Sequence, residues 1–235
     1  MKYKIEPSIF EMFPDLKVGV IHAQNINNSG SSSDVESKLN EQVESVRSDW
    51  DMDKLNSDER ILAWREAYRA FKAKPKKYKC SVENLYRMIM DGINLSPINT
   101  VVDIYNISSL KHTIPVGGDD IDKIDGDVVL TIADGTEEFT QLNTDEAIAV
   151  KSGEIIYRDD KEVLCRRWNW RECDKSKMTA DTKNVCLLTE AIPPVDSDKI
   201  NEIVSELASN VSEYCGGEIE TYIIDASNPV LEINS

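Results

Sequence analysis

Apolar residues recur at steps of three and four along the first part of the chain, a spacing that predicts amphipathic helices. One predicted helix covers residues 35–50 and has Asp34 as its N-terminal cap. A second covers 61–71, and a third, shorter helix begins at Ser81. Residues 1–78 are therefore predicted to be the helical N-terminal part of the protein.

A fourth helix, predicted over 97–107, carries polar side chains in register. Asn99, Asp103 and Asn106 stand at i, i+4 and i+7, so they form one stripe along an otherwise apolar helix. Three short hydrogen-bonding groups in one row suit the binding of a polar ligand. They equally suit the anchoring of a neighbouring loop, and the sequence leaves both interpretations open.

Beyond that helix the pattern changes to short apolar runs bounded by turn residues, which predict strands. These strands are predicted at 128–133, 138–142, 154–158, 162–170, 185–192 and 218–225. Asp134-Gly135 predicts a hairpin turn between the first two, and Asp196 caps a last helix. Helices followed by a block of strands predict an α+β fold with a mostly antiparallel sheet. Without a repeat or a clean linker, residues 1–235 are expected to form a single domain that ends in a helix and a strand over 193–235.

Composition excludes several classes of protein. The 235 residues contain no long apolar run, so no membrane span is expected, and the N-terminus lacks the pattern of a secretory signal. Five cysteines without a CxxC pair favour a reducing, cytoplasmic location over a disulfide framework or a zinc site. With two histidines and no calcium-loop spacing among the carboxylates at 119–127, neither a metal nor a cofactor is expected.

Charge is unevenly distributed along this acidic chain. The net charge of -16 disfavours sequence-independent binding to long nucleic acid, because phosphate contacts need an excess of Lys and Arg. Two segments reverse the balance: 65–79 has seven basic residues against one acidic, and 166–177 has five against two. These segments suit the local binding of a polyanion. The alternative is a solvated helix face followed by a lysine-rich loop.

Glu190 is the first candidate for chemistry. On the predicted strand at 185–192 it shares one face with Cys186 and Leu188, which are apolar. A carboxylate in such surroundings is paired or has a raised pKa, and both situations are common at functional sites. The alternative is a strand end that twists the side chain into solvent.

The segment 166–171, with the sequence RRWNWR, is the second candidate. On a strand its two tryptophans would face the same side, with arginines and an asparagine around them. Aromatic faces stack bases or amino-acid side chains, and guanidinium groups bind phosphate or carboxylate. The alternative is a buried tryptophan pair with arginines that reach the surface.

Two short motifs resemble those of a known domain family. The segment 99–106, NTVVDIYN, is similar to the N-x-V-V-D-I-x-N helix of the tRNA-editing (B3/B4) domain of the phenylalanyl-tRNA synthetase beta subunit. The segment 182–185, TKNV, resembles the T-x-N-V that opens the final strand of that domain. The resemblance covers 79–192 and is greatest to free-standing relatives that lack a synthetase body. It implies an α+β domain that binds the acceptor end of aminoacyl-tRNA and hydrolyses the ester of a wrongly charged tRNA.

Three positions that the resemblance places at the pocket depart from the synthetase pattern. Gly117 stands where the synthetase has a histidine, and Leu188 stands where it has the glutamate that reads a tyrosine hydroxyl. The segment 166–171 replaces a small Ala/Gly loop. Glu190, two residues beyond Leu188, can restore a carboxylate on the same strand face.

Roles follow from these positions. Glu190, Asn106 and Thr182 are the candidate catalytic and positioning residues, because ester hydrolysis needs a positioned water and an oxyanion donor rather than a histidine or a metal. The candidate substrate-binding residues are Asn99, Asp103, Gly117, Asp120, Arg166, Arg167, Trp168, Asn169 and Arg171.

Three functions are consistent with these residues. The first is trans-editing hydrolysis of mischarged aminoacyl-tRNA. The second is a non-catalytic module on the same fold that binds tRNA or a free amino acid, which the filled pocket and the missing histidine favour. The third is an unrelated small-molecule enzyme, since a fold alone does not fix a function. Turnover separates the first two, and tRNA binding separates both from the third.

Overall fold

The computed structural model describes residues 1–30 and 32–233. Its strands are β1 (Lys2–Ile5), β2 (Lys17–Gln24), β3 (Val116–Asp120), β4 (Val128–Ile132), β5 (Glu138–Thr140), β6 (Ala147–Ala149), β7 (Ile155–Arg158), β8 (Val163–Arg166), β9 (Arg171–Glu172), β10 (Val185–Ala191), β11 (Glu218–Ile224) and β12 (Val230–Glu232). Its helices are α1 (Pro7–Met12), α2 (Ser33–Asp49), α3 (Met52–Ser57), α4 (Glu59–Ala70), α5 (Ser81–Met90), α6 (Thr100–His112) and α7 (Ser197–Cys215). A short 3-10 helix, Ile121–Lys123, follows β3.

The described strands form three sheets. One has the order β12-β1-β4-β7-β8-β9, the second has the order β11-β2-β10-β3, and β5 pairs with β6 in a small third sheet. Every pairing among them is antiparallel except that of β1 with β4. The predicted α+β fold with a mostly antiparallel sheet is confirmed.

The second sheet is packed against α6 and α7. Helix α7 begins at its cap, Asp196, whose side chain accepts a hydrogen bond from the Lys199 amide, and it buries an apolar face that includes Ile200 and Leu207. Each such side chain contributes about 1.5–3 kcal/mol when it is removed from water. A Cβ atom at Gly19 of β2 would clash with a Val204 methyl group, so the glycine allows helix and sheet to approach closely.

The N-terminal part is less helical than predicted, because two strands precede α2. Strand β1 lies inside the first sheet, and β2 lies at the centre of the second, between β10 and β11. All six residues of β2 between its two ends are buried, so the strand lacks the alternation of apolar and polar residues that marks a half-exposed strand. Residues 1–78 therefore contribute to both sheets as well as to the helical layer.

Two predicted helix starts were displaced. The cap of α2 is Ser32, which accepts a hydrogen bond from the Val35 amide, and Asp34 lies in the first turn. Helix α6 begins at Thr100 rather than at Pro97, because the Asn99 side chain accepts a hydrogen bond from the amide of residue 102 and takes the cap position.

The predicted hairpin around Asp134-Gly135 was wrong. Strand β4 pairs with β1 and β7, whereas β5 pairs with β6. The preferred partners of β4 come from distant parts of the chain, and a local turn signal cannot reveal such pairings. The strands predicted at 154–158, 185–192 and 218–225 are confirmed as β7, β10 and β11, with ends that differ by a residue.

Candidate functional site

A small acidic cavity lies between β3, β10 and the segment that links β8 to β9. Its volume is about 30 Å³, room for one or two water molecules. Strands β3 and β10 pair so that Gly117 lies opposite Leu188. Three carboxylates line this space, from Asp119, Glu172 and Glu190. We refer to it below as the acidic cavity.

Glu190 is held at the cavity by two hydrogen bonds. The Tyr157 hydroxyl donates to Oε1 at 2.8 Å, and the Asn169 amide donates to Oε2 at 2.6 Å. The Tyr68 hydroxyl in turn donates to the Asn169 side-chain oxygen at 2.9 Å. Glu190 is only 4% exposed, which excludes the alternative of a strand end twisted into solvent. Burial raises the pKa of Glu190 to about 7, although both hydrogen bonds favour the charged form.

Asp119 and Glu172 complete the acidic cavity. Burial, with the charges of neighbouring aspartates, raises the pKa of Asp119 to about 6, and the Ser176 hydroxyl donates a hydrogen bond that opposes this shift. Burial and the nearby charge of Asp119 raise the pKa of Glu172 to about 8. A Cβ atom at Gly117 would lie 3.2 Å from Glu172 Oε1, so the glycine preserves the space beside this carboxylate.

These three pKa shifts predict a loss of stability with rising pH. The pKa of each of the three carboxyl groups is near 4 in the unfolded chain, whereas the folded pKa values are about 6, 7 and 8. Between pH 4 and the folded pKa of each group, the folded state therefore holds more protons than the unfolded state. The free energy of unfolding falls as pH rises through this range. Glu190→Gln removes one titrating group, and between pH 5 and pH 8.5 we expect its free energy of unfolding to fall by about 2–3 kcal/mol less than that of the natural chain, because one pKa unit corresponds to about 1.4 kcal/mol.

Urea unfolding at pH 5, 7 and 8.5 measures the free energy of unfolding of the variant and of the natural chain. The contributions of the other titrating groups cancel in the difference between the two. Glu146→Gln, an exposed position, is the matched control and should leave the curve unchanged. Equal pH dependence for the natural chain and Glu190→Gln would show that Glu190 is ionised normally in the folded protein.

The segment 167–170 is a tight turn rather than part of a strand. Arg167 and Trp168 have φ values of 47° and 68°, and the Trp170 amide donates to the Arg166 carbonyl oxygen at 3.1 Å. The turn separates the two tryptophans: Trp168 is fully buried beside the acidic cavity, and Trp170 is partly exposed. The prediction that both rings face one side of a strand was wrong, because the left-handed residues reverse the chain there.

Arg166 and Arg167 are engaged in ion pairs with one carboxylate. Arg166 makes a two-pronged contact with Glu154 at 3.0 and 2.8 Å, and Arg167 Nη2 reaches the same carboxylate at 2.5 Å. The Arg167 guanidinium also lies 4.6 Å from the Trp170 ring centroid. The exposed Arg171 guanidinium lies 5.2 Å from the centroid of the same Trp170 ring. None of these three guanidinium groups lines the acidic cavity.

Asn99 of the predicted polar stripe anchors a loop. Its Oδ1 atom accepts hydrogen bonds from the Asn28 amide group at 3.0 Å and from the Val102 backbone at 3.1 Å. Its amide donates to the Met178 carbonyl oxygen at 3.1 Å. Asp103 Oδ1 accepts a hydrogen bond from the backbone of residue 98 at 2.9 Å. These contacts favour the anchoring interpretation for the first two members of the stripe.

The remaining predicted residues lie outside the acidic cavity. The Thr182 hydroxyl donates to Asp120 Oδ2 at 2.7 Å and accepts from the Thr179 amide, so it fixes the loop before β10. Asn106 is half-buried on α6 and does not line the cavity. Of the residues selected from the sequence, the cavity brings together Gly117, Trp168, Asn169 and Glu190.

A larger apolar pocket adjoins the acidic cavity. It has a volume of about 320 Å³ and shares Gly118 and Glu172 with the cavity. Its walls include Val102 and Tyr105 of α6 and Met178 of the anchored loop. Glu172 therefore stands at the junction between an apolar pocket and a space the size of one or two water molecules.

Sequence reasoning missed Glu172 and Asp119. Both belong to short charged runs, Arg171-Glu172 and Asp119-Asp120, which resemble surface turns. Their role depends on burial by neighbouring strands, and one weak signal was the Gly117-Gly118 pair, which allows close approach.

Among the described residues, no group of three or more His, Cys, Asp or Glu side chains is arranged to hold a metal ion. No helix in the described part of the chain is long and apolar enough to cross a bilayer.

Comparison with known proteins identifies related domains. The sequence profile of the family described as "B3/4 domain" matches residues 63–216. Over 157 residues the chain is 22% identical to the phenylalanine–tRNA ligase beta subunit of Fusobacterium nucleatum subsp. nucleatum, a match that covers 57% of this chain and 19% of that protein. The crystal structure of an N-terminal fragment of the phenylalanyl-tRNA synthetase beta-subunit from Pyrococcus horikoshii aligns with a TM-score of 0.45 and 13% identity, over 92% of this chain and 49% of that one. The chain thus spans about a fifth of the first relative and about half of the second.

Proposed function

The chain belongs to the B3/4 domain family, and on that premise we propose that it is a tRNA-binding protein that hydrolyses the ester of mischarged aminoacyl-tRNA in trans. The similarity to the beta subunit of phenylalanine–tRNA ligase supports a role with tRNA. The observation that carries the hydrolytic part is the position of Glu172, between the apolar pocket and the acidic cavity. An aminoacyl side chain fits the first space, and an attacking water fits the second.

The acid–base properties of the cavity support this reaction. General acid–base catalysis is most efficient when the pKa of the group lies near the working pH. The pKa of Glu172 is raised to about 8 and that of Glu190 to about 7, both by burial. Glu190 already accepts two hydrogen bonds, whereas Glu172 lies beside Gly117 and borders both spaces, so Glu172 is the proposed general base.

The proposed reaction proceeds through water. The Glu172 carboxylate takes a proton from a water held in the acidic cavity, and the water oxygen attacks the ester carbonyl carbon. The bond from that carbon to the ribose oxygen breaks, and the ribose oxygen receives the proton from Glu172. Glu190 is proposed to bind the α-amino group of the aminoacyl moiety, and Asn99 and Thr182 to hold the loops that form the walls.

Single-turnover hydrolysis of a panel of mischarged tRNAs tests the proposal. The panel begins with tyrosine esterified to the tRNA that is specific for phenylalanine. We expect Glu172→Gln to lower the rate about 100-fold or more, because a general base contributes on the order of 10²–10⁴. The rate of the natural chain, corrected for spontaneous ester loss, should rise with pH through about 8, the pKa of Glu172. Glu146→Gln is the control of equal charge change at an exposed position and should keep the full rate.

A non-catalytic module is the second candidate. Gly117 stands where the resemblance places a histidine, and the 167–170 turn buries Trp168 beside the acidic cavity, and both features favour binding without turnover. Saturable binding of tRNA with no ester loss for any member of the panel would establish that alternative. Equal rates for the natural chain and Glu172→Gln would instead contradict the assigned base while leaving hydrolysis in place.

A further inference from the structure

A further pocket, larger than the apolar pocket, is lined by Arg167 of the 167–170 turn. Its volume is about 630 Å³, and it lies between the loop that follows α4 and the turn that precedes β7. Lysines 72, 74, 77 and 151 line it together with Arg167. We refer to it as the basic pocket.

The charge of the basic pocket is poorly compensated. Glu154 is the acidic residue among its lining side chains, and it is shared by two arginines, Arg166 and Arg167. Arg167 Nη1 makes no hydrogen bond within the described part of the chain. Within residues 1–30 and 32–233, Lys72, Lys74 and Lys151 make no ion pair either.

The backbone fixes the position of these lysines. The Lys72 amide donates to the Arg69 carbonyl oxygen at 2.9 Å, and a left-handed φ of 63° at Lys72 ends α4. The amides of Lys77 and Tyr78 both donate to the Lys74 carbonyl oxygen at 2.8 Å. The lysine loop is thus an ordered turn that presents several ammonium groups to one pocket.

Tyr78 adds an aromatic surface to the basic pocket. The Arg167 guanidinium lies 3.8 Å from the Tyr78 ring centroid, and Lys77 lies 5.2 Å from it. A hydrogen bond from Lys77 and the charges of Arg167 and Lys151 lower the pKa of Tyr78. Positive charge beside a partly exposed aromatic ring is the combination that binds single-stranded nucleic acid.

We infer that the basic pocket binds phosphate groups of the single-stranded acceptor end of tRNA, next to the nucleotide that carries the ester. The inference rests on the proposed function and extends it to a site for the backbone. Arg167 lines the basic pocket, and the next two residues, Trp168 and Asn169, line the acidic cavity. A tRNA strand bound in the basic pocket is therefore separated from the acidic cavity by the 167–170 turn of the protein. On a protein with a net charge of -16, this local excess of positive charge confines phosphate binding to one place.

Binding of deacylated tRNA to two triple variants tests the inference. The first variant changes Lys72, Lys74 and Lys151 to Gln. The matched control changes three exposed or partly exposed lysines outside the pocket to Gln, namely Lys17, Lys123 and Lys183. At 50 mM salt we expect the first variant to bind about tenfold or more weakly, with the slope of log affinity against log salt reduced by about 2. The control should bind almost like the natural chain.

The outcomes separate this inference from the proposed function. Equal affinity of the two triple variants, when the natural chain binds tRNA, would overturn the basic pocket alone. A second outcome would overturn it in favour of a free phosphorylated ligand. In that outcome inorganic phosphate or adenosine monophosphate protects the pocket lysines from chemical acetylation, and the first triple variant binds tRNA as tightly as the natural chain does. Failure of the natural chain to bind tRNA at low salt would overturn both proposals. tRNA binding that depends on the pocket lysines, without ester hydrolysis, would uphold the pocket and overturn the hydrolase. Urea unfolding of both variants confirms that each is folded.

Discussion

Replacement of Glu154 by glutamine is expected to lower the free energy of unfolding by about 3–5 kcal/mol. The Glu154 side chain is 8% exposed, and the side chains of its partners Arg166 and Arg167 are 8% and 5% exposed. Loss of the carboxylate charge leaves two buried guanidinium groups without an anion, and the neutral amide can accept at only one atom. The cost is therefore that of unpaired buried charge rather than that of a weak surface contact.

Urea unfolding at neutral pH measures this effect. The control is Glu44→Gln, which breaks an exposed pair with Arg47, in which the Glu44 side chain is 68% exposed. Such pairs contribute about 0–1 kcal/mol, so the control should be almost as stable as the natural chain. A loss below about 1 kcal/mol for Glu154→Gln would mean that the arginines find water or another partner.

Replacement of Trp168 by alanine is expected to cost about 3–5 kcal/mol of stability. Trp168 is 0% exposed, and its ring centroid lies 4.8 Å from that of Phe13 and 5.0 Å from that of Trp64. The substitution removes a ring that contacts both Phe13, which follows α1, and Trp64 of α4, and it leaves a cavity in the core.

Trp170→Ala is the matched control, because it removes the same ring from a partly exposed position beside Tyr78. We expect a cost of about 1 kcal/mol for this variant. Thermal and urea unfolding of the two variants compare the positions directly. Similar losses for Trp168→Ala and Trp170→Ala would contradict the placement of the two rings on different sides of the turn.

Both large predictions concern one short segment, which joins the two proposed sites. Glu154 fixes the arginines on the side of the basic pocket, and Trp168 fixes the turn on the side of the acidic cavity. The left-handed residues Arg167 and Trp168 allow consecutive side chains to serve two different spaces. Binding assays on this segment therefore need a folding control, since substitutions here alter stability as well as any ligand contact.

The sequence by itself determined the elements whose signals are local. Helical spacing identified α2, α4 and α7, and the cap of α7, Asp196, was also predicted correctly. The placement of Glu190 among apolar residues made burial on β10 one of two alternatives, and the structure shows that it is buried. The family was also accessible, because its motifs are short runs of neighbouring residues at 99–106 and 182–185.

Tertiary structure alone decided the site. Glu172 and Asp119 come from β9 and β3, in different sheets, and only the packing of those sheets brings their carboxylates to the cavity that holds Glu190. In the sequence the arginines at 166 and 167 resemble free phosphate ligands, whereas in the structure both pair with Glu154, twelve and thirteen residues earlier. Burial, charge pairing and pKa depend on neighbours that are distant in sequence, so the spacing of residues along the chain cannot specify them.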